Sequence, residues 1–156
     1  MLSSKRMGLA QFIAALFSRS ARRSSPGSSN AGHALGREGE RLAVRYLRQQ
    51  NFRVLYRNFR APHGGEVDIV CRDKSNDTLV FVEVKTRTSM AFGAPGEAVT
   101  REKQKLIARG ALAWLRLLDH PDIFFRFDIL EILHDGTKPS FNLIKDAFKL
   151  PEPYIY

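Results

Sequence analysis

The stretch LVFVEVKTR at residues 79–87 decides how the rest of the chain can fold. It begins with a β-branched and aromatic run, the composition of a strand covered on both faces. Two charges follow, and because side chains alternate along a strand, Glu83 and Lys85 point to the same side. Buried charges are costly unless they are paired or bound to a metal. This end of the strand is therefore either a salt bridge at the margin of a sheet or part of a catalytic site.

The preceding stretch GGEVDIV at residues 64–70 favours a catalytic site. A glycine turn opens a second apolar strand, on which Glu66 and Asp68 share one face. Residues 72–77 are rich in turn formers, so the two strands are predicted to form a hairpin that brings Asp68 within reach of Glu83. Two close carboxylates repel each other, as expected where a divalent cation lies between them, whereas a structural ion pair needs only one.

The composition indicates one domain with a short extension and limits the kind of metal site. A chain of 156 residues is long enough to bury a proper core. Its single cysteine, Cys71, excludes an intrachain disulfide and a cysteine-rich zinc site, and it fits a reducing compartment. The four histidines lack metal-ligand spacing. Oxygen ligands from Asp and Glu therefore point to magnesium, with manganese as the alternative.

The formal net charge of +9 is unevenly distributed. Residues 1–34 hold five basic and no acidic residues, which leaves 20 basic and 16 acidic residues for the remainder. Excess positive charge suits a polyanionic partner such as nucleic acid.

The first 34 residues have the composition of an extension. Residues 7–17 form an apolar stretch between basic flanks that is too short to span a bilayer. A signal peptide is an alternative, but Gln11 interrupts the stretch and residues 18–23 make a poor cleavage site. We therefore expect a basic flexible leader over residues 1–34, which could tether the domain to a membrane or protein partner, and a cytoplasmic protein without a transmembrane segment.

Hydrophobic periodicity predicts an α/β sandwich with a mixed central sheet flanked by helices. Glu38 and Glu40 are expected in the first turn of the first helix, where the helix dipole favours negative charge. The folded domain is predicted over residues 35–148, followed by a C-terminal tail over 149–156. The predicted elements are helices at 36–50 and 98–118, strands at 52–60, 66–71, 79–87, 123–133 and 141–144, and a loop at 89–96 that could border a substrate groove.

The second predicted helix has an apolar stripe opposite a basic face. The basic face is either solvated or in contact with phosphates. On the strand that follows, Arg126 and Asp128 share a face and are expected to form a structural pair. The stripe comprises Leu106, Ile107, Gly110, Ala111, Trp114, Leu117 and Leu118, and the basic face carries Arg101, Lys103, Lys105, Arg109 and Arg116.

A helix carboxylate, a strand aspartate and then Glu-x-Lys on the next strand resemble the PD-(D/E)xK, or restriction-endonuclease-like, nuclease superfamily, and its Holliday junction resolvases in particular. The chain looks most like the YraN family of small bacterial proteins. The residues that carry this resemblance are GREGERLA at 36–43, NFR at 58–60, GEVDIV at 65–70, FVEVKTR at 81–87 and RFD at 126–128. Val67 stands where the superfamily motif has its proline.

The resemblance implies a metal-dependent phosphodiesterase acting on DNA. Asp68, Glu83 and the Val84 carbonyl would hold Mg²⁺ or Mn²⁺, with Glu40 binding directly or through water. Lys85 would orient or deprotonate the attacking water. The predicted catalytic residues are thus Asp68, Glu83, Lys85 and Glu40, and the predicted nucleic-acid contacts are Arg60, Arg87, Lys103 and Lys105.

Two points stay open at the level of sequence. A nuclease fold can also serve as a non-catalytic module that binds nucleic acid or a partner, because fold does not determine function. The oligomeric state is open as well, although the related resolvases imply a two-fold homodimer.

Overall fold

A computed structural model describes residues 30–88 and 99–154 of the chain. Most of the predicted leader (residues 1–29), the predicted groove loop at 89–96 and the last two residues of the tail lie outside the described residues. Neither helix in the described part is long and apolar enough to cross a membrane. The elements are α1 (Asn30–Gln49), β1 (Phe52–Arg60), β2 (Glu66–Asp73), β3 (Thr78–Arg87), α2 (Arg101–Leu117), β4 (Phe125–Leu133) and β5 (Ser140–Phe148).

The strands form one five-stranded mixed sheet in the order β1-β2-β3-β4-β5. All neighbours are antiparallel except β3 and β4, which are parallel. A parallel pair needs a crossover connection, and α2 supplies it. The predicted α/β sandwich with a mixed sheet is confirmed.

The two helices cover opposite faces of the sheet. Ala43 and Leu47 of α1 pack in one core cluster with Val80 and Val82 of β3, whereas Phe81 packs in the α2 cluster. Because side chains alternate along β3, Glu83 lies on the same side as Phe81 and therefore faces α2. The alternation of side chains along β3 thus places the charged end of this strand against α2.

The first helix begins earlier than predicted. It starts at Asn30, so the predicted boundary at Leu35 falls inside α1, and the expectation that Glu38 and Glu40 cap its first turn is wrong. Glu38 instead pairs with Arg41 at 2.7 Å along the helix surface. At the other end, β5 runs to Phe148, and Leu150 and Tyr154 of the predicted tail pack against the core.

The buried stripe of α2 differs from the prediction at its C-terminal end. Leu117 is 37% exposed, whereas Ala108, Leu112 and Leu115 are buried instead. A helix on a sheet buries a stripe at least about 100° wide, so apolar spacing alone leaves the centre of the stripe undetermined.

The predicted Arg126–Asp128 pair is present and belongs to a larger buried network. The Arg126 guanidinium donates to Asp128 at 2.9 Å and to Asp73 at 2.9 Å. Burial alone would raise the pKa of Asp73, but hydrogen bonds from Ser75 and Arg126 outweigh it and lower the pKa to about 2. Every buried charge here has partners, which marks the network as structural.

Two glycines let α2 approach the turn between β1 and β2. A Cβ atom on Gly110 would lie 2.9 Å from the backbone of Glu66, and one on Gly65 would lie 2.6 Å from the Gly110 nitrogen. Gly65 also has a φ of +116°, a conformation that disfavours other residues. The contact sets how close α2 lies to the first residue of β2.

We therefore predict opposite effects for two glycine substitutions in helices. Gly110→Ala should lower the free energy of unfolding by about 1–3 kcal/mol, because the added methyl group meets backbone that cannot move aside. Gly36→Ala in α1 is the control: a Cβ there meets nothing within 4 Å, so the gain in helix propensity should raise stability by about 0.5–1 kcal/mol. Urea denaturation measures both changes, and stabilisation by Gly110→Ala would contradict the close contact.

Candidate functional site

Asp68 and Glu83 come together where β2 and β3 end their shared ladder. The register between these strands runs from the Asp73–Thr78 pair to the Ile69–Val82 pair, so Asp68 and Glu83 are the next pair of residues along the two strands. At this point the Asp68 side chain takes over from the backbone: its Oδ2 accepts a hydrogen bond from the Val84 amide at 2.8 Å. The structure therefore holds both carboxylates at one end of the sheet.

Glu83 is a buried carboxyl group with an unsatisfied oxygen. The residue is 8% exposed, and its Oε2 has no hydrogen-bond partner among the described residues. Burial raises the pKa of Glu83, and the nearby charge of Asp68 raises it further. Lys103 opposes these effects, and the pKa is about 7. Such a group is costly to keep as an anion unless a cation approaches it.

Lys103 reaches into the site from the first turns of α2. Its Nζ lies 2.6 Å from Glu66 Oε1 and 3.2 Å from Glu83 Oε1, and Glu66 also pairs with Arg60 at 2.8 Å. The lysine hydrogen bond is the main cause that lowers the pKa of Glu66. The sequence placed Lys103 on a basic surface; the structure adds that its ammonium group is shared between two carboxylates.

Glu66 is the residue of this site that the prediction left out. The signal was present, because Glu66 is two residues from Asp68 and shares its face of the strand. Its pairing with Lys103 could not be read from the sequence, because it depends on how α2 lies over the sheet.

Lys85 lies on β3 two residues beyond Glu83 and is half-buried. Its register partner on the parallel strand β4 is Glu131, which accepts a hydrogen bond from Asn142 of β5 at 3.0 Å. A carboxylate thus stands on the strand next to the predicted catalytic lysine. Glu131 was not predicted, because parallel register follows from the crossover and leaves no local signal.

Glu40 lies on α1 and is held by β1. Its Oε2 accepts a hydrogen bond from Asn58 Nδ2 at 2.7 Å. Asn58 falls between the Arg57–Ile69 and Phe59–Val67 register pairs, which puts it beside Asp68 in the sheet. Within the described ranges no three His, Cys, Asp or Glu side chains are grouped closely enough to hold a metal ion. Glu40 is therefore not part of a preformed three-carboxylate cluster.

The remaining predicted contacts lie around the same end of the sheet. Arg60 ends β1 and is largely exposed, Arg87 ends β3, and Lys105 is exposed on α2. The Arg87 carbonyl accepts a hydrogen bond from the His134 amide at 2.8 Å, which ties the end of β3 to the end of β4. Their contacts with nucleic acid stay predictions.

The residues present suit one hard divalent cation. Asp68 and Glu83 provide carboxylate oxygens, and the buried Oε2 of Glu83, which has no hydrogen-bond partner in residues 30–88 and 99–154, has the character of a ligand atom that lacks its cation. Magnesium commonly takes only one or two carboxylates from a protein and completes its shell with water and substrate oxygens. The Val84 carbonyl stays a predicted third ligand.

The raised pKa of Glu83 predicts a pH-dependent effect of Glu83→Gln, measured in chelator. The folded pKa of about 7 exceeds the ordinary value of 4.5, so the stability from this group is present below about pH 4.5 and lost as pH rises through 7. The neutral amide escapes that loss. The free energy of unfolding of Glu83→Gln, relative to that of the parent protein, should therefore increase between about pH 5 and about pH 8 by on the order of 2 kcal/mol.

Urea denaturation across this range measures the effect. The substitution Glu152→Gln at an exposed position is the control for the loss of one carboxyl group. A pH-independent difference for Glu83→Gln would contradict the environment described for this carboxyl group, which faces Asp68 of β2 and Lys103 of α2.

Comparison with known proteins gives consistent relatives. A protein of Geobacter metallireducens named "UPF0102 protein" is 48% identical over 117 residues, covering 75% of this chain and 93% of that protein. A "UPF0102 protein" of Trichlorobacter lovleyi is 47% identical over 118 residues, with 75% and 91% covered. In Chlorobaculum tepidum, "UPF0102 protein CT2262" is 47% identical over 104 residues, with 67% and 78% covered.

The family model that matches the chain is described as "Uncharacterised protein family UPF0102" and spans residues 39–132. This range contains α1 from Gly39 onward, the strands that carry Asp68 and Glu83, all of α2 and most of β4. Neither the family description nor the names of these relatives states an activity. The chain belongs to the UPF0102 (YraN) family, which is part of the restriction-endonuclease-like superfamily.

Proposed function

We propose that the protein is a Mg²⁺-dependent endonuclease that hydrolyses phosphodiester bonds of DNA, branched or structured DNA included, in the cytoplasm. The observation that carries the proposal is the buried Glu83 carboxyl group beside Asp68, with one oxygen that has no partner in the described part of the chain. A buried carboxyl group with an unpartnered oxygen beside a second carboxylate is costly to maintain, and a cation-binding role accounts for that cost. The positive net charge suits a polyanionic substrate.

Each side chain has a role that follows from its position. Asp68 and Glu83 would hold the metal ion, with Glu40 acting through water. A bound Mg²⁺ supplies a lowered pKa for coordinated water and charge neutralisation at the phosphate. Lys85 lies on the same face as Glu83 and orients the attacking water. Lys103 offsets negative charge at Glu66 and Glu83, which keeps the anionic phosphate from being repelled.

A second candidate function is binding of nucleic acid without turnover. The observation in its favour is that the Lys103 ammonium group offsets part of the carboxylate charge at Glu83. A protein of this kind would bind DNA in a salt-dependent way, and neither metal nor substitution of Asp68 would change that binding.

The first prediction from the nuclease proposal concerns metal binding. At a metal concentration of about 100 times Kd, Mg²⁺ or Mn²⁺ should stabilise the folded protein by about 2.7 kcal/mol and raise Tm by about 10 °C. Asp68→Asn removes a ligand charge and should abolish this shift. Thermal denaturation with and without metal measures it.

The matched control for the metal experiment is Asp77→Asn. Asp77 is an exposed aspartate near the turn between β2 and β3, where it pairs with Arg72. This variant should keep the full response to metal. A Tm shift that survives Asp68→Asn, or that vanishes equally in Asp77→Asn, would count against a metal site at Asp68.

The second prediction concerns cleavage. With Mg²⁺ or Mn²⁺, the purified full chain should cut branched, flapped or linear DNA. Asp68→Ala, Glu83→Ala and Lys85→Met should each lower the rate at least about 10²-fold, because the first two each remove a ligand of the metal ion and the third removes the group that orients the attacking water. Gel analysis of labelled substrates measures the rates.

The outcomes separate the two candidate functions. Activity that persists in Asp68→Ala would come from a contaminant, and the nuclease proposal would fall. If no substrate is cut and metal has no effect, while salt-dependent DNA binding is intact, the non-catalytic module is the correct function.

A further inference from the structure

A groove between α1 and β1 is lined mainly by arginine side chains. It has a volume of about 710 Å³ and lies on the α1 side of the sheet, whereas Glu83 faces α2. Of its six lining residues none is acidic. They are Arg41, Val44, Arg45, Arg48, Gln49 and Arg57, and we call this surface the arginine groove.

The spacing of the arginines on α1 matches the spacing of phosphates along a nucleic-acid strand. Arg41, Arg45 and Arg48 are separated by four and three positions, so they follow one face of α1. A helix rises about 1.5 Å per residue, which spreads the three Cα atoms over roughly 10 Å, the length of about three phosphates along one strand of DNA. Arg57 adds a fourth guanidinium from β1 on the opposite wall.

Most of this charge is not neutralised by the protein itself. Arg41 is paired with Glu38, and Arg45 lies near enough to influence the same carboxylate. Arg48 and Arg57 form neither an ion pair nor a hydrogen bond within residues 30–88 and 99–154. The guanidinium groups of Arg48 and Arg57 are therefore available to an anion.

Stability of the helix alone does not account for this arrangement. A basic residue in the last turn of a helix interacts favourably with the dipole, which explains Arg48. Arg41 and Arg45, however, are like charges four residues apart, a spacing that destabilises a helix, and Arg57 is not on a helix. The single carboxylate of Glu38 does not balance these guanidinium groups, so the surface suits a partner of opposite charge.

We propose that the arginine groove binds the sugar–phosphate backbone of a nucleic acid, at a surface separate from the Asp68–Glu83 pair. The two surfaces lie on opposite faces of the sheet, and the edge strand β1 contributes to both, because Arg57 lines the groove and Arg60 pairs with Glu66. A nucleic acid that follows the groove toward this edge is led to the carboxylate end of the sheet. The proposal shares with the proposed function only the class of partner, and it holds whether or not the chain is catalytic.

The test compares two double variants of the full chain that lose the same charge. Arg45→Gln/Arg57→Gln removes one guanidinium from each wall of the groove. Lys74→Gln/Lys138→Gln removes two exposed lysines from turns outside it and is the matched control. Binding of a short fluorescent DNA duplex is measured by anisotropy over a range of salt concentrations in chelator.

The groove variant should bind DNA about 10–50-fold more weakly near physiological salt. Its slope of log K against log salt should fall by about 2, one for each lost phosphate contact. The control should change affinity by only a few-fold and leave the slope nearly unaltered, since it changes net charge without removing contacts. Equal affinities and slopes for the two variants overturn the proposal.

Two further measurements keep the result interpretable. Circular dichroism and Tm should match between the two variants, because all four substituted side chains are exposed. Binding to vesicles that contain phosphatidylserine is measured in parallel. If the groove variant loses vesicle binding but keeps DNA binding, the groove contacts a membrane surface and the proposal is wrong.

Failure of this proposal differs from failure of the nuclease proposal. Asp68→Ala should leave the salt slope of DNA binding unchanged while it removes metal-dependent cleavage. A protein without cleavage whose groove variant still loses DNA affinity would refute the nuclease and support the groove. A protein with Asp68-dependent cleavage whose groove variant binds DNA like the control would support the nuclease and refute the groove proposal.

Discussion

Burial of the Glu83 carboxyl group beside Asp68 is the constraint to which the surrounding elements are adapted. The backbone pairing of β2 and β3 ends at this point, and the Asp68 side chain accepts a hydrogen bond from the Val84 amide instead. Helix α2 brings Lys103 over the pair, and it can do so because Gly65 and Gly110 let the helix approach the start of β2. The ends of the strands, the glycine turn and the packing of α2 together hold the Glu83 carboxyl group in a buried position that is energetically costly.

The same sheet carries a second buried charge cluster, and the contrast between the two is informative. Around Arg126, the carboxylates of Asp73 and Asp128 are fully partnered, and the pKa of Asp73 is lowered to about 2. At Glu83 the pKa is raised to about 7 and one oxygen has no partner among the described residues. The first cluster stabilises the fold. In the second, a buried carboxyl group keeps one oxygen unpartnered within the described part of the chain, which is typical of a functional site.

The distribution of positive charge fits a partner that contacts more than one face. Lys103 and Arg60 lie around the carboxylates on the α2 side, and the arginine groove lies on the α1 side. β1 is the edge strand between these surfaces, and it contributes Arg57 to one and Arg60 to the other. An extended polyanion passing around this edge could contact both surfaces at once, which no small substrate could do.

The sequence by itself determined the order and type of the elements, the mixed α/β architecture and the pairing of Asp68 with Glu83, because alternation along strands and a short hairpin are local properties. It did not determine the start of α1, the centre of the buried stripe on α2, the position of Glu40 beside Asn58, or the register pair of Lys85 and Glu131. Those depend on how each helix lies over the sheet and on the parallel register that the crossover imposes. The groove likewise exists only because α1 packs next to β1, since its arginines on the two walls are far apart in the chain and no local pattern joins them.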